Sequence, residues 1–389
     1  MFSMRIFAVI ISVLALSLAG AAERNGKADP DGEPTSLVVD QFAHTFARGA
    51  AVAPEDLAPY AKYSADDPAG KFSIERAAQF IDGVAVKWGR KHGCVTCHTN
   101  GYYLIVPPKI FKDRSAATEV RDFAEDWINS WDDIGLPRDD VVVAPAAFLT
   151  INNMQMNGKL RPATLHALDE AWSLQSAEGH FPNWLKANWP PFEQDDHYGV
   201  TLMTIAMGMA PKSYTSIEPA RTGVQRLLKY LRNNQSKEIH HRAMMLWAGK
   251  YYEELLTANV RRLWIDELLA LQKESGGWAS GDLGRWRQRA PESGDISMLD
   301  PETVERKYPP VITNPNGDGY GTGFVMYVLL QSGVPESNLQ IQKGLEWLRN
   351  NQQADGKWFT NSLRNKISTS NFLTHTGTTF ALKVLAETM

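Results

Sequence analysis

The sequence predicts an all-α fold in which amphipathic helices surround an inner ring of helices that are apolar on every side. A turn of the form Gln, three residues, Gly, one residue, aromatic recurs at Gln175/Gly179/Phe181, Gln272/Gly276/Trp278 and Gln352/Gly356/Trp358. Recurrence at a fixed spacing marks a repeat. The segments before the turns are amphipathic. NVRRLWIDELLALQ places Val260, Trp264, Leu268 and Leu271 on one stripe, and LQIQKGLEWLRNNQ does the same with Ile341, Leu345 and Leu348. The segments after the turns, HYGVTLMTIAMGMAP, YGTGFVMYVLLQSG and HTGTTFALKVLAE, are apolar nearly all round. A helix of that kind is buried on every face. Strand signals are sparse throughout.

Taken in order, residues 1–21 read as a signal peptide. Arg5 gives a basic start, IFAVIISVLALSLAG is the apolar stretch, and AGA offers small residues for cleavage near Ala21. The apolar run is short for a bilayer span. The expectation is an exported chain in the periplasm or cell envelope, or secreted, with no stable transmembrane segment once mature. The next apolar run, VVVAPAAFLTI, is shorter and contains Pro145. Residues 22–70 are expected to form a tail and a packing helix. Residues 71–389 divide into six helical hairpins, at 71–110, 111–160, 161–212, 216–253, 257–333 and 335–389; the second and fourth lack the turn signal. Insertions near 279–319 and 359–374 are polar and read as surface loops on one rim. The formal net charge is -4, from 40 Lys+Arg against 44 Asp+Glu, without a long run of either sign. That balance gives no reason to expect a nucleic-acid partner or an anionic membrane surface.

Each turn residue has a physical role. Glycine suits the left-handed position that ends a helix. The Gln amide can bond backbone groups left unpaired at a helix end, and the aromatic folds back over the turn. If every turn leads from an outer helix to an inner one, all inner-helix N-termini lie on one rim. CHTNGYYLI, EQDDHYGVTLM, NGDGYGTGFVM and FLTHTGTTFAL open four of those helices. Cys94, Cys97, His98, Asp195, Asp196, His197, Asp318 and His375 would then share a mouth. Asp and Thr at such positions also serve simply as caps.

The Gln/Gly/Trp turns resemble those of the prenyltransferase/squalene-oxidase repeat superfamily, which includes squalene–hopene cyclases and other class II terpenoid cyclases. The resemblance covers about 320 residues. It implies a single (α/α)6 toroid and a hydrophobic small molecule bound in the barrel. Class II cyclases carry DxDD at the start of an inner helix. The matching stretch here is Glu193-Gln194-Asp195-Asp196, which would make Asp195 the acid, Asp196 its partner and Glu193 the first member. Glu193 in place of Asp, and His197 with Tyr198 where small residues are usual, depart from that pattern. Protein prenyltransferases bind zinc through Asp, Cys and His. Here Asp318 matches, Tyr320 stands in the cysteine place and His375 matches the histidine. With one ligand missing, zinc is not expected.

The chain's only cysteines, Cys94 and Cys97, stand in GCVTCHTN, directly ahead of His98. CxxCH is the attachment pattern of c-type haem, with two thioethers and an axial histidine. Its place behind an export signal suits that cofactor, and a redox partner would follow from it. A local disulfide, two thiols beside a capping histidine, and a zinc site completed by His197 or His375 are the other readings. For haem, His197 or His375 are candidates for the second axial position. A non-catalytic peptide- or glycan-binding module is a further class that such a scaffold allows.

Overall fold

The computed structural model describes residues 71–96, 98–130, 138–186, 189–236, 238–287, 300–308, 310–311, 313–363 and 372–389. The signal peptide and tail expected within 1–70, and Cys97, lie outside the described residues.

Among the described residues there are fourteen α-helices and no β-strand beyond two isolated bridges. In chain order they are α1 Ile74–His92, α2 Thr99–Tyr103, α3 Ser115–Asn129, α4 Asp140–Asn157, α5 Pro162–Ser173, α6 His197–Met209 and α7 Lys212–Thr215. They continue with α8 Ala220–Asn233, α9 Ile239–Ala248, α10 Ala258–Ala270, α11 Pro301–Lys307, α12 Gly319–Gln331, α13 Leu339–Asn350 and α14 Phe372–Glu387. Six half-exposed helices are each followed in the chain by a helix buried over most of its length: α1/α2, α3/α4, α5/α6, α8/α9, α10/α12 and α13/α14. No helix is long and apolar enough to cross a membrane among the described residues.

The inner helices touch in sequence, α2 to α4, α4 to α6, α6 to α9, α9 to α12 and α12 to α14, and α14 touches α2. These contacts form a closed cycle. The turns explain why. Gln272 Nε2 donates to Gly276 O of its own turn at 2.8 Å and to Gln340 O of the next outer helix at 2.7 Å. Gln175 does the same with Gly179 O and Gly223 O. Gln352, in the last turn, reaches back 279 residues to Ser73, the N-cap of α1, donating to Ser73 O and accepting from Ser73 N. One rule, each turn docking on the following outer helix, thus joins the last repeat to the first.

The turn glycines are left-handed, with φ of +101° at Gly179, +92° at Gly276 and +100° at Gly356. A Cβ at Gly356 would lie 2.4 Å from Arg76 C and O. Gly356→Ala is therefore expected to destabilise the chain by about 1–3 kcal/mol or more. Gly158→Ala, at φ +66° with open space around it, should cost less. Equal losses for the two in urea unfolding would show that the last turn does not dock on α1.

Burial departs from the sequence pattern in two places. Ile341, Leu345 and Leu348 of α13 are buried, but on α10 only Leu268 is, while Val260, Trp264 and Leu271 are half-buried. The α10 stripe is closed where the Trp278 indole folds back and donates to Leu268 O at 2.7 Å. The long insertion is also not wholly a surface loop. Ser280, Leu283 and Trp286 are buried, because the Asp318 carboxylate that caps α12 also accepts from Ser280 N and Oγ, both at 2.8 Å.

The axis of the ring is filled rather than hollow. Tyr102 packs on Phe148 and Phe380, Phe324 on Phe380, and Phe192 on Tyr198, with ring centroids 5.0–5.4 Å apart. The inner helix α2 is short, stopped by the Pro107-Pro108 pair. Its C-terminal carbonyls find donors on both neighbours: Asn152 Nδ2 to Leu104 O at 2.8 Å and Lys383 Nζ to Ile105 O at 2.9 Å.

Candidate functional site

Several of the unusual polar side chains stand at or just inside the N-termini of the buried helices α2, α6, α12 and α14. His98, at the head of α2, shares a pocket with Trp189, Phe192 and Glu193, which precede α6, and with Phe372, the first residue of α14. The pocket measures about 200 Å3 including its open mouth.

The segment carrying Cys94 is pinned in place before any ligand is considered. Asn100, one residue into α2, donates from Nδ2 to Cys94 O at 2.9 Å and accepts from Thr96 N at 3.0 Å. A Cβ on Gly101 would lie 2.0 Å from Thr96 O and 2.7 Å from the Phe148 ring. Only glycine lets the loop fold this tightly onto α2. Cys94 is buried.

The His98 imidazole is wedged between Trp88, edge-on at 4.8 Å, and Phe372 at 5.1 Å between centroids. Its Nδ1 lies 2.8 Å from Thr99 Oγ1, and the same hydroxyl lies 2.9 Å from His375 Nδ1. Burial, then the neighbouring His375 and His92, holds His98 well below its ordinary pKa. Burial, helped by Lys357, lowers His375 to about 3. Both rings are neutral at physiological pH, the form in which imidazole binds a metal.

The three acids of the DxDD-like stretch are divided among three environments. Glu193 faces the His98 pocket. Asp195 caps α6, accepting from His197 N at 3.1 Å, and its side chain is 43% exposed. Burial of the carboxyl, with Asp196 adding, raises its pKa. Asp196 is enclosed between a turn and an outer helix: its Oδ2 lies 2.5 Å from His180 Nδ1 and its Oδ1 accepts from Tyr230 of α8. It thus ties a turn to the next outer helix.

Nor do the histidines gather as the sequence suggests. His98 and His375 meet through Thr99, whereas His197 stacks on His241 with centroids 4.7 Å apart. His241 Nε2 is 3.5 Å from Asp195 Oδ1. The His197 ring meets the backbone of Asn234, and burial, with His241 adding, lowers its pKa to about 3. Among the described residues no three His, Cys, Asp or Glu side chains are grouped to hold one metal ion. Of the residues matched to the prenyltransferase zinc site, Asp318 serves as a cap and burial raises it to about 6. The Tyr320 hydroxyl lies 2.7 Å from His240 Nε2.

Sequence reasoning missed Thr99 and Asn100 as partners of the CxxCH segment, and the pair His240-His241 at the head of α9. The rim rule, applied to the fourth inner helix, would have found that pair. The aromatic walls of the pocket, Trp189, Phe192 and Phe372, carry no local signal.

Toward a c-type haem the described residues offer a neutral imidazole, engaged by Thr99 in a pocket with aromatic walls, four residues after the buried Cys94. The pocket is smaller than a porphyrin, so a macrocycle on His98 would extend beyond it. No protein-family model matches the chain, and no curated protein matches it.

Proposed function

We propose that this chain is an exported c-type haem protein on an (α/α)6 toroid, with haem attached through Cys94 and Cys97 and iron on His98. The observation that carries this reading is the placement of the His98 ring: Nδ1 is engaged by Thr99, and the ring lines the aromatic pocket. The cycle of inner-helix contacts and the bond from the last turn to Ser73 support the toroid. Covalent haem would supply one-electron redox chemistry at iron. Asn100 would hold the thioether loop, Trp88 and Phe372 would fix the ring plane, and Trp189 and Phe192 would keep water from the iron side. Attachment by thioethers occurs outside the cytoplasm, which agrees with reading 1–21 as a signal peptide, and electron transfer would need a redox partner.

A cyclase acting on a hydrophobic molecule in the barrel needs a dry cavity and an acid aimed into it. The filled axis and the exposure of Asp195 favour the rim over the lumen as the place of function.

The test is an absorption spectrum and intact mass of the chain exported together with a haem-maturation system. A Soret band that survives denaturation and acid–acetone extraction, with the mass of one added haem, is expected. Cys94→Ala/Cys97→Ala should lose it. Colour that extracts freely, or no colour, would overturn the reading.

A further inference from the structure

One side-chain amide sets the hydrogen-bond directions at Cys94 and Thr96. Asn100 Nδ2 donates to Cys94 O at 2.9 Å. An amide nitrogen only donates and its oxygen only accepts, so Asn100 Oδ1 is the atom that faces Thr96. It accepts from Thr96 N and from Thr96 Oγ1, both at 3.0 Å. The Thr96 hydroxyl has one proton and gives it to Asn100. Its lone pairs remain for His98 Nδ1, 3.4 Å away. A bare Nδ1 would set lone pair against lone pair there, whereas an Nδ1–H points at two acceptors, Thr96 Oγ1 and Thr99 Oγ1. The shorter contact, 2.8 Å, is to Thr99. Having accepted from His98, the Thr99 hydroxyl is free to donate onward to His375 Nδ1 at 2.9 Å. His98, Thr99, Asn100 and His375 are all buried, so water does not compete at the Thr99 hydroxyl, while Thr96 is half-buried.

We infer that His375, acting through Thr99, is a positioning residue that holds His98 as the tautomer with its proton on Nδ1 and a bare lone pair on Nε2. The use of that lone pair, as the donor to a haem iron, rests on the function proposed above; the tautomer is argued from the direction that Asn100 imposes on the Thr96 hydroxyl facing His98 Nδ1. A hydrogen-bonded Nδ1–H also makes the opposite nitrogen a better donor, the usual service of an outer-shell partner to a ligating histidine. This gives His375 a role behind His98, in place of the second axial position for which the sequence makes it a candidate.

The experiment is 15N NMR of the histidine ring nitrogens in the full chain, produced without haem, in the wild type, Thr99→Ser, Thr99→Val, His375→Gln and His375→Phe. Circular dichroism verifies that each variant is helical. The wild type, Thr99→Ser and His375→Gln, which keep the hydroxyl and an acceptor for it, should show His98 with Nδ1 protonated only. Thr99→Val and His375→Phe should show a mixture of the two tautomers, because the direction imposed at Nδ1 is weakened. An Nε2-protonated His98 in the wild type would overturn the inference, and so would a single Nδ1–H form retained in both Thr99→Val and His375→Phe. If His375→Phe does not fold, the wild type and Thr99→Val decide the matter. The predicted tautomer pattern in a chain that never takes up haem would leave this inference standing and overturn the haem reading alone.

Discussion

Replacing Trp358 by alanine is expected to lower the free energy of unfolding by about 3–5 kcal/mol, the usual cost of truncating a buried tryptophan. Trp358 is fully buried. Its indole Nε1 donates to Leu348 O at 2.8 Å, at the end of α13, and its backbone N–H is received by Thr378 Oγ1 of α14 at 3.2 Å. The residue thus joins the two helices across the turn, its side chain holding α13 and its backbone α14, as Trp278 does with Leu268 O and Thr322 Oγ1. Trp358→Phe should lose less, mainly the cost of leaving Leu348 O without its donor, about 1–3 kcal/mol. Equilibrium urea unfolding measures both. A change within error for Trp358→Ala would show that the turn tryptophans do not hold the repeat together.

The second large effect is expected at Lys383. This lysine is buried between α14 and the end of α2, with Nζ donating to Ile105 O and lying 4.5 Å from the centre of the Tyr327 ring. Burial, opposed by Glu387 and reinforced by Lys250, lowers its pKa from 10.5 to about 7. Between those values the unfolded chain carries a proton that the folded chain does not. Stability from this group therefore rises as pH rises from about 7 toward 10.5, and below about 7 the whole cost of burying the charge is felt. At about 1.4 kcal/mol per pH unit, that cost is about 5 kcal/mol. Lys383→Met should flatten the pH dependence and stabilise the protein near pH 6 by about 2–4 kcal/mol, the remainder being lost because Ile105 O has no donor. Urea unfolding at pH 6, 8 and 10 tests it. A wild-type stability that does not rise over that range would mean the ammonium is solvated in the folded state.

The helices and their alternation were legible because they depend on local period. All-round apolar segments such as YGTGFVMYVLL have no face to give to water, and Gln-xxx-Gly-x-Trp writes its turn within seven residues. The interpretation of EQDD as one catalytic group was not secure for a related reason. Successive residues entering a helix point in different directions, and Glu193, Asp195 and Asp196 are taken up by a pocket, a cap and a cross-link to Tyr230 respectively. His375 was visible as a rim residue, but its partner was not. The hydroxyl that joins it to His98 lies 276 residues away in the chain, and a threonine beside CxxCH has no periodic signal.

The sequence by itself determined an all-helical chain in which amphipathic and all-round apolar helices alternate, with glycine turns between them and a CxxCH ahead of α2. These follow from backbone propensity and from the spacing of apolar residues, which act over a few turns of chain. Only the tertiary structure decided that the last turn grips Ser73, that aromatic rings pack together between the buried helices, and that Thr99 joins His98 to His375. Those outcomes depend on which side chains meet when distant segments compete for the same buried space, and no local pattern encodes that competition.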